Sequence, residues 1–401
     1  MNKFPILLIL KHLINPVCYY PRVQKRHTLM VVAGEPSGDA HAAALVRALR
    51  ERADIEFFGA TGPLMRDAGV DTIVNSDELA IMGIVEVGRV FRKFLRAFRQ
   101  LKSAAIERTP DAVILVDWPE FNLRLASTLH RRGLKVIYYI SPQLWAWRPR
   151  RVNNIKRDVD LLLSILPFEV EWYKAREVEH VEFVGHPLAG AVKARYGREE
   201  FCRRNDLDPT RPIVSFLPGS RIKELQRILP PMMDAIEQLR IVRPEVQSIV
   251  VVAPSRTVAE VREITASVKL IERQTREALA ASDAAVIASG TATLEAALLE
   301  TPMVVVYKES PINWHTLGRL ITVTHYGLVN LVAGKEIATE LMQDDLTGGN
   351  VVKELLKLLE PETNRKTRES LREVSLKLGA PGGSQRAADL IVKFVAADER
   401  G

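Results

Sequence analysis

Residues 283–307, DAAVIASGTATLEAALLETPMVVVY, constrain the fold of this chain more tightly than any other stretch. They read as a buried strand over 283–288, a tight turn at Ser289, Gly290 and Thr291, a helix over about 292–300, and a second buried strand over 303–307. Both strands are unbroken apolar runs, the pattern of a parallel sheet covered on both faces. Such a unit aims the first amides of its helix, and the positive end of the helix dipole, at whatever lies above the strand ends. Gly290 lets a ligand approach the backbone, and Thr291 adds a hydroxyl. Glu295 stands about one turn into the helix, where a carboxylate repels phosphate but accepts hydrogen bonds from sugar hydroxyls. Diphosphate on the amides and ribose on the carboxylate is the reading that uses all of these residues. A Glu that only complements the helix dipole, worth roughly 0.3–1 kcal/mol, is the alternative the segment leaves open.

The same alternation of apolar strands and amphipathic helices runs through the chain and makes it α/β. Strands are expected near 28–33, 55–58, 112–116, 135–140, 159–165 and 181–184, and again near 213–217, 248–253, 284–288 and 303–307. The polar stretch 195–211, ending in Asp208-Pro209-Thr210-Arg211-Pro212, reads as a linker. After about Gly349 the pattern is helical, with a capped last helix starting near Ser384. The expectation is two doubly wound Rossmann-like domains facing each other across a cleft, over 28–205 and 206–348. Helices over 349–401 form a tail that packs back on the first domain.

Both halves open with a strand, a Gly-bearing loop and a helix: Gly34-Glu35-Pro36-Ser37-Gly38-Asp39 in the first, Pro218-Gly219-Ser220-Arg221 in the second. Ligands of such sheets bind beyond the carboxyl ends of the strands, so both loops are expected to line the cleft. Neither is a Walker loop, since no Lys-Ser/Thr follows the glycines, and no GxGxxG supports a dinucleotide site. Arg221 begins a helix, where a cation opposes the dipole unless an anion sits between, so it is expected at a diphosphate. Glu224, one turn on, either orients Arg221 or is an ordinary exposed helical Glu.

With 401 residues, 47% of them hydrophobic, the chain has ample material for two cores, and wholesale disorder is excluded. Its two cysteines, Cys18 and Cys202, lack metal-ligand or disulfide-framework spacing and fit a reducing compartment. The net charge of +7 suits an anionic partner. Residues 1–27 read as a poorly ordered extension: the apolar run at 4–10 is too short to span a bilayer, and no cleavage site follows it.

Several motifs, taken together, resemble the lipid-A-disaccharide synthases, bacterial glycosyltransferases of the GT-B fold. They are GEPSGD at 34–39, MGIVEV at 82–87, DWPEFN at 117–122, YYISPQLWAWR at 138–148, LPFE at 166–169 and GHP at 185–187. LPGSR at 217–221, SDAAVIASGTATLE at 282–295 and YGLVNLVAG at 326–334 complete the set. The resemblance covers nearly the whole chain from about residue 29, and two tryptophans at the spacing of Ser-Pro-x-x-Trp-Ala-Trp-Arg are its most specific part. Pro36 and the leader depart from the family pattern. The resemblance implies transfer from UDP-2,3-diacylglucosamine to 2,3-diacylglucosamine 1-phosphate, giving a β-1,6-linked disaccharide 1-phosphate and UDP. Asp206-Leu207-Asp208 mimics the Asp-x-Asp of metal-using glycosyltransferases but lies in the linker rather than at a strand end, so no metal is expected, and no other cofactor.

Inverting transfer needs one general base. Asp117 follows the apolar run 112–116 and so stands at a strand's carboxyl end; Glu35, on another loop of the same domain, is the competing base. A helix cap or an orienting group is the plainer role for Asp117. Ser220, Arg221, Glu224, Ser289, Gly290, Thr291 and Glu295 are expected at the UDP-sugar, and the family match alone adds Asn330. Trp145 and Trp147, beside Arg148, Arg150 and Arg151, are expected to wall the cleft near the acceptor's acyl chains or its phosphate, with core packing as the alternative for the tryptophans. His186 reads as a hydrogen-bonded structural residue.

Residues 87–105 combine apolar residues at helical spacing, Phe91, Phe94 and Phe98 among them, with Arg92, Lys93, Arg96 and further cations. This basic amphipathic pattern suits an anionic membrane surface, or else a helix that packs its apolar stripe inward. The overall expectation is a cytoplasmic enzyme held peripherally at the inner face of the cytoplasmic membrane, with no nucleic-acid partner. A homodimer is compatible with the sequence. A UDP-sugar epimerase of the same fold, or an inactive nucleotide-sugar-binding module, are the rival readings.

Overall fold

The computed structural model describes residues 26–77, 87–265, 268–310, 314 and 323–397, excepting the side chains of 87–91. The leader, apart from Arg26 and His27, and all but the last residue of the MGIVEV motif lie outside that set. The first sheet holds β1 (His27–Ala33), β2 (Ile55–Thr61), β3 (Asp71–Asn75), β4 (Ala112–Val116), β5 (Val136–Tyr139), β6 (Leu161–Ser164) and β7 (Val181–Phe183). Its order is β3-β2-β1-β4-β5-β6-β7, parallel throughout. The second sheet holds β8 (Ile213–Leu217), β9 (Gln247–Val252), β10 (Lys269–Glu272), β11 (Ala284–Ala288), β12 (Met303–Tyr307) and β13 (Glu340–Met342). Its order is β10-β9-β8-β11-β12-β13, again parallel.

Each order reverses once, between β1 and β4 and between β8 and β11. Loops leaving neighbouring strands diverge at such a reversal and open a crevice above the strand ends. The four strands concerned, β1, β4, β8 and β11, are predominantly apolar; β4, β8 and β11 are buried at every residue. The loops beyond them are Gly34 to Glu35, Asp117 to Trp118, Pro218 to Arg221 and Ser289 to Thr291. The fold thus places the segments that the motifs singled out at the two sheet reversals, Gly34-Glu35 with Asp117-Trp118 in one domain and Pro218 to Arg221 with Ser289 to Thr291 in the other.

The stretch 195–211 is not a free linker. It contains the helix Arg198–Arg204, whose Phe201 and Cys202 are fully buried in the core of the second domain. Arg195 pairs with the buried Glu277 at 2.7 Å, and Arg198 with Asp283 at 3.0 Å. Arg195 and Arg198 tie it to the second domain, while Arg203 and Arg204 stay exposed. Asp206 and Asp208 are exposed there, Asp206 bonded to Lys269 and Asp208 accepting from Thr210.

The C-terminal helices divide between the domains. Gly348–Leu358 and Pro361–Lys377 pack on the second, whereas Gly383–Ala397 returns to the first and lies against Pro36–Arg50. Ala387, Ala388 and Ile391 join Leu45 and Leu49 in one core there. Arg386 anchors the return by donating to the carbonyls of Val184, Ala380 and Pro381.

The basic helix Val87–Arg108 lays one stripe inward: Ala97, Leu101 and Ala105 are buried. Phe94 and Phe98 belong to this packed side, half-buried with ring centroids 6.0 and 5.8 Å from that of Phe121. Phe94 and Phe98 thus take up the inward packing that the sequence left open, with part of each side chain still exposed. Arg92, Lys93 and Arg96 are exposed, and the Phe91 side chain lies outside the described residues.

Candidate active site across the two sheet reversals

At the end of β4 the backbone turns through two consecutive left-handed residues, Asp117 (φ 49°) and Trp118 (φ 50°), before Pro119 starts the helix Pro119–His130. Side chains other than Gly rarely adopt this conformation, and each instance costs on the order of 1–3 kcal/mol unless its surroundings enforce it. Here they do. The Asp117 carbonyl accepts from the Tyr138 hydroxyl at 2.6 Å and from Asn122 Nδ2 at 2.7 Å. Trp118 stacks on Phe121 with ring centroids 4.2 Å apart, and its indole lies over Gly34 so closely that a Cβ there would come within 2.1 Å. The first Gly of GEPSGD thus makes room for the turn that presents Asp117.

Burial first, and then the charge of Glu35, push the Asp117 carboxyl above its ordinary range. Glu35 itself is exposed at the start of the helix Pro36–Arg50, without a capping bond from its side chain. Asp39 plays a structural part instead. Buried, it accepts from the amides of Gly62, Leu64 and Met65 and caps the short helix Pro63–Asp67.

The loop after β5 is held from below by Glu169. This fully buried carboxyl accepts from Ser141, from Ser164 Oγ at 2.5 Å and from Trp145 Nε1 at 2.9 Å. Desolvation raises its pKa, and those bonds oppose the rise. Trp145 is consequently 6% exposed, packed with Phe168 and with core residues of the second domain. It braces the loop, in the core packing that the sequence left as its alternative. Trp147 is 38% exposed, with the Arg148 guanidinium 4.2 Å from its ring centroid. Glu120, three residues beyond Asp117, binds Arg151 through both oxygens at 2.8 Å and Arg148 at 3.1 Å.

In the second domain a cavity of about 800 Å³ opens between the loops after β8 and β11. Ser220, Arg221, Glu224, Ser289, Gly290, Thr291 and Glu295 all line it. Glu224 accepts from the amides of Ser220 and Arg221 and holds the Arg221 guanidinium at 2.8 Å, so it both caps the helix Ile222–Val242 and orients the cation. Gly290 has φ 151°, and nothing lies within 4 Å of where its Cβ would be, which leaves the backbone open to a ligand. The Ser289 hydroxyl donates to the Tyr326 carbonyl at 2.9 Å and ties two loops together. Glu295 faces Arg276 at 3.3 Å, and Arg276 also donates to the Ala191 carbonyl. Sequence spacing gave no sign of Arg276, which reaches the site from the helix Thr275–Ala281.

Asn330 differs from expectation. It is fully buried; its Nδ2 donates to Ala338 and Glu340, and its Oδ1 accepts from the amides of Ile337 and Ala338. An Asn has two donors and two acceptor positions, so none remains for a sugar. Its role is to lock the loop after Tyr326. His186 is buried, accepts the Leu188 amide on Nδ1, and burial with nearby His41 lowers its pKa to about 4, so it is neutral at pH 7.

The model of the lipid-A-disaccharide synthetase family matches residues 29–394. The chain belongs to that family. It is 42% identical over 375 residues to the lipid-A-disaccharide synthase of Geobacter sulfurreducens, covering 92% of this chain and 97% of the relative. The protein of that name from Anaeromyxobacter dehalogenans is 41% identical over 382 residues, covering 93% and 98%. Among solved structures, the calicheamicin glycosyltransferase aligns with a TM-score of 0.61 at 15% identity, over 93% of this chain and 99% of that one. The UDP-GlcNAc 2-epimerase of Neisseria meningitidis, bound to UDP-GlcNAc, aligns with a TM-score of 0.58 at 11% identity, over 93% and 99%. These two likenesses concern the fold, which is the two-domain GT-B arrangement.

Proposed function

We infer that this chain is the glycosyltransferase of lipid A assembly, joining UDP-2,3-diacylglucosamine to 2,3-diacylglucosamine 1-phosphate with inversion. The family match over residues 29–394 carries the reading. The geometry supplies a rationale for each part. Gly290 and Thr291 take the diphosphate, with Arg221 beside it, and Glu295 exchanges its bond to Arg276 for the ribose hydroxyls. Ser289 and Glu224 hold these groups in place. On the other side of the cleft, Asp117 takes the proton of the acceptor 6-hydroxyl as that oxygen bonds to the anomeric carbon. The bond from that carbon to the UDP oxygen breaks, and its electron pair leaves on the diphosphate, where Arg221 meets the growing charge. No step calls for a metal or another cofactor.

An epimerase of the same fold is the rival activity, and the product separates the two. Purified protein given both substrates should yield UDP and a disaccharide 1-phosphate by mass spectrometry. An epimerised sugar nucleotide with the acceptor left intact would contradict the assignment.

The substrates are lipids, and among the described residues no helix is long and apolar enough to cross a membrane. Peripheral docking on an anionic surface is supported by the exposed Arg92, Lys93, Arg96 and Arg99 of the helix Val87–Arg108. Co-sedimentation should favour anionic over zwitterionic vesicles at low salt and decline as salt rises. Equal binding to both kinds would remove the electrostatic part.

A further inference from the structure

We propose that Arg148, held over Trp147 beside the Glu120–Arg151 pair, forms a phosphomonoester site for the anomeric phosphate of the acceptor. The proposal rests on the transferase reading and assigns it a recognition element.

Glu120 is surrounded by more positive charge than it can neutralise. Arg151 engages both its oxygens, Arg148 one of them, and Arg124 adds its charge nearby, so that the carboxyl is held below its ordinary range chiefly by the Arg151 bond. Arg151 is spent on this fork. Arg148 is not: among the described residues only its Nη1 is engaged, at 3.1 Å, and the side chain is 45% exposed. Its backbone is left-handed at φ 57° and its guanidinium is stacked on the Trp147 ring. An arginine held by a ring face and one oxygen presents the rest of its planar fork outward, the geometry that suits a phosphate dianion.

The location fits the substrate. The Tyr138 hydroxyl donates to the Asp117 carbonyl, and Glu120, in the first turn of the helix that follows Asp117-Trp118, holds both Arg148 and Arg151. The arginine cluster therefore stands beside the strand end that presents the proposed base. An acceptor sugar with its 6-hydroxyl at Asp117 has its anomeric phosphate on the far side of one ring. Nothing in the transfer itself needs that phosphate, so a cation placed there acts on which sugar is accepted.

The test measures equilibrium binding by calorimetry with the full chain and no UDP-sugar, so that its result does not depend on turnover. Short-acyl diacylglucosamine is offered with its 1-phosphate and, separately, with a free 1-hydroxyl. The wild type should prefer the phosphorylated form by roughly tenfold or more, the scale of one charge-assisted hydrogen bond. Arg148→Gln should lose most of that preference, and Arg148→Lys should recover part of it. Circular dichroism and thermal melting report whether each variant is folded; if Arg148→Gln is not, Arg148→Met, which keeps an unbranched side chain over Trp147, is read in the same way. No preference in the wild type, or full preference in a folded Arg148→Gln, overturns the proposal. Vesicles of anionic phospholipid form the last arm: loss of vesicle binding in Arg148→Gln with acceptor preference retained would assign the arginine to lipid headgroups instead. Absence of disaccharide in the turnover assay would count against the transferase reading and leave this binding result to be judged separately.

Discussion

Asp117→Asn is expected to leave the fold and UDP binding in place while turnover falls by about 10²–10⁴-fold, the range for losing a general base. Asn keeps the shape of the side chain, and the bonds that hold the turn run to the Asp117 carbonyl, which the substitution does not touch. The pH behaviour gives a second reading. Burial and the Glu35 charge raise the Asp117 pKa, so the acid limb of kcat/KM should lie above the usual carboxylate range and vanish in the variant. The sign for stability is opposite. The folded protein holds this proton more tightly than the unfolded chain, so the group's contribution to stability falls as pH rises from the unfolded pKa through the folded one. Asp117→Asn stays neutral throughout and should therefore be at least as stable as the wild type at pH 7, by thermal melting. A folded variant with near wild-type turnover would pass the role to Glu35 or to water.

Arg221→Ala should lower turnover by about 10²–10³-fold, the loss found when one electrostatic stabiliser of a developing oxyanion is removed. Its side chain is 82% exposed and bonded to Glu224, so little folding energy goes with it. Glu295→Ala should weaken UDP binding by about 1.5–3 kcal/mol for each charge-assisted bond to the ribose. Calorimetric titration checks both. Unchanged UDP affinity in the two variants would remove the diphosphate and ribose assignments together.

What the sequence disclosed depends on how deeply an element is buried. Every strand next to a sheet reversal was legible, because β4 and β11 are unbroken apolar runs and β1 and β8 are predominantly apolar and buried. The three strands that escaped, β3, β10 and β13, are all sheet edges. Asp71-Thr-Ile-Val-Asn, Lys269-Leu-Ile-Glu and Glu340-Leu-Met are short and partly exposed, with polar ends that look like loop. Edge strands are kept that way, which hides them from a search for apolar runs.

The same contrast runs through the site. Gly290, Arg221 and Asp117 could be picked out because their meaning is local: a turn, a helix start, a strand end. Arg276, Tyr138 and Glu169 act across the fold, and no spacing in the chain links Arg276 to Glu295 or Glu169 to Ser141. Asn330 failed for the reverse reason. Its motif marked a loop that matters, but the side chain is consumed in holding it. The left-handed geometry of the strained pair Asp117-Trp118 needed Gly34, Asn122 and Tyr138 in view at once.

The central claim is a single displacement in which Asp117 activates the acceptor hydroxyl opposite the departing UDP. The configuration of the new linkage tests it most directly. With an α-configured UDP-2,3-diacylglucosamine donor, the anomeric proton coupling of the disaccharide product, read by nuclear magnetic resonance, should report a β-linkage. An α-linkage would mean retention, and with it two displacements or an internal return that one base at Asp117 does not explain.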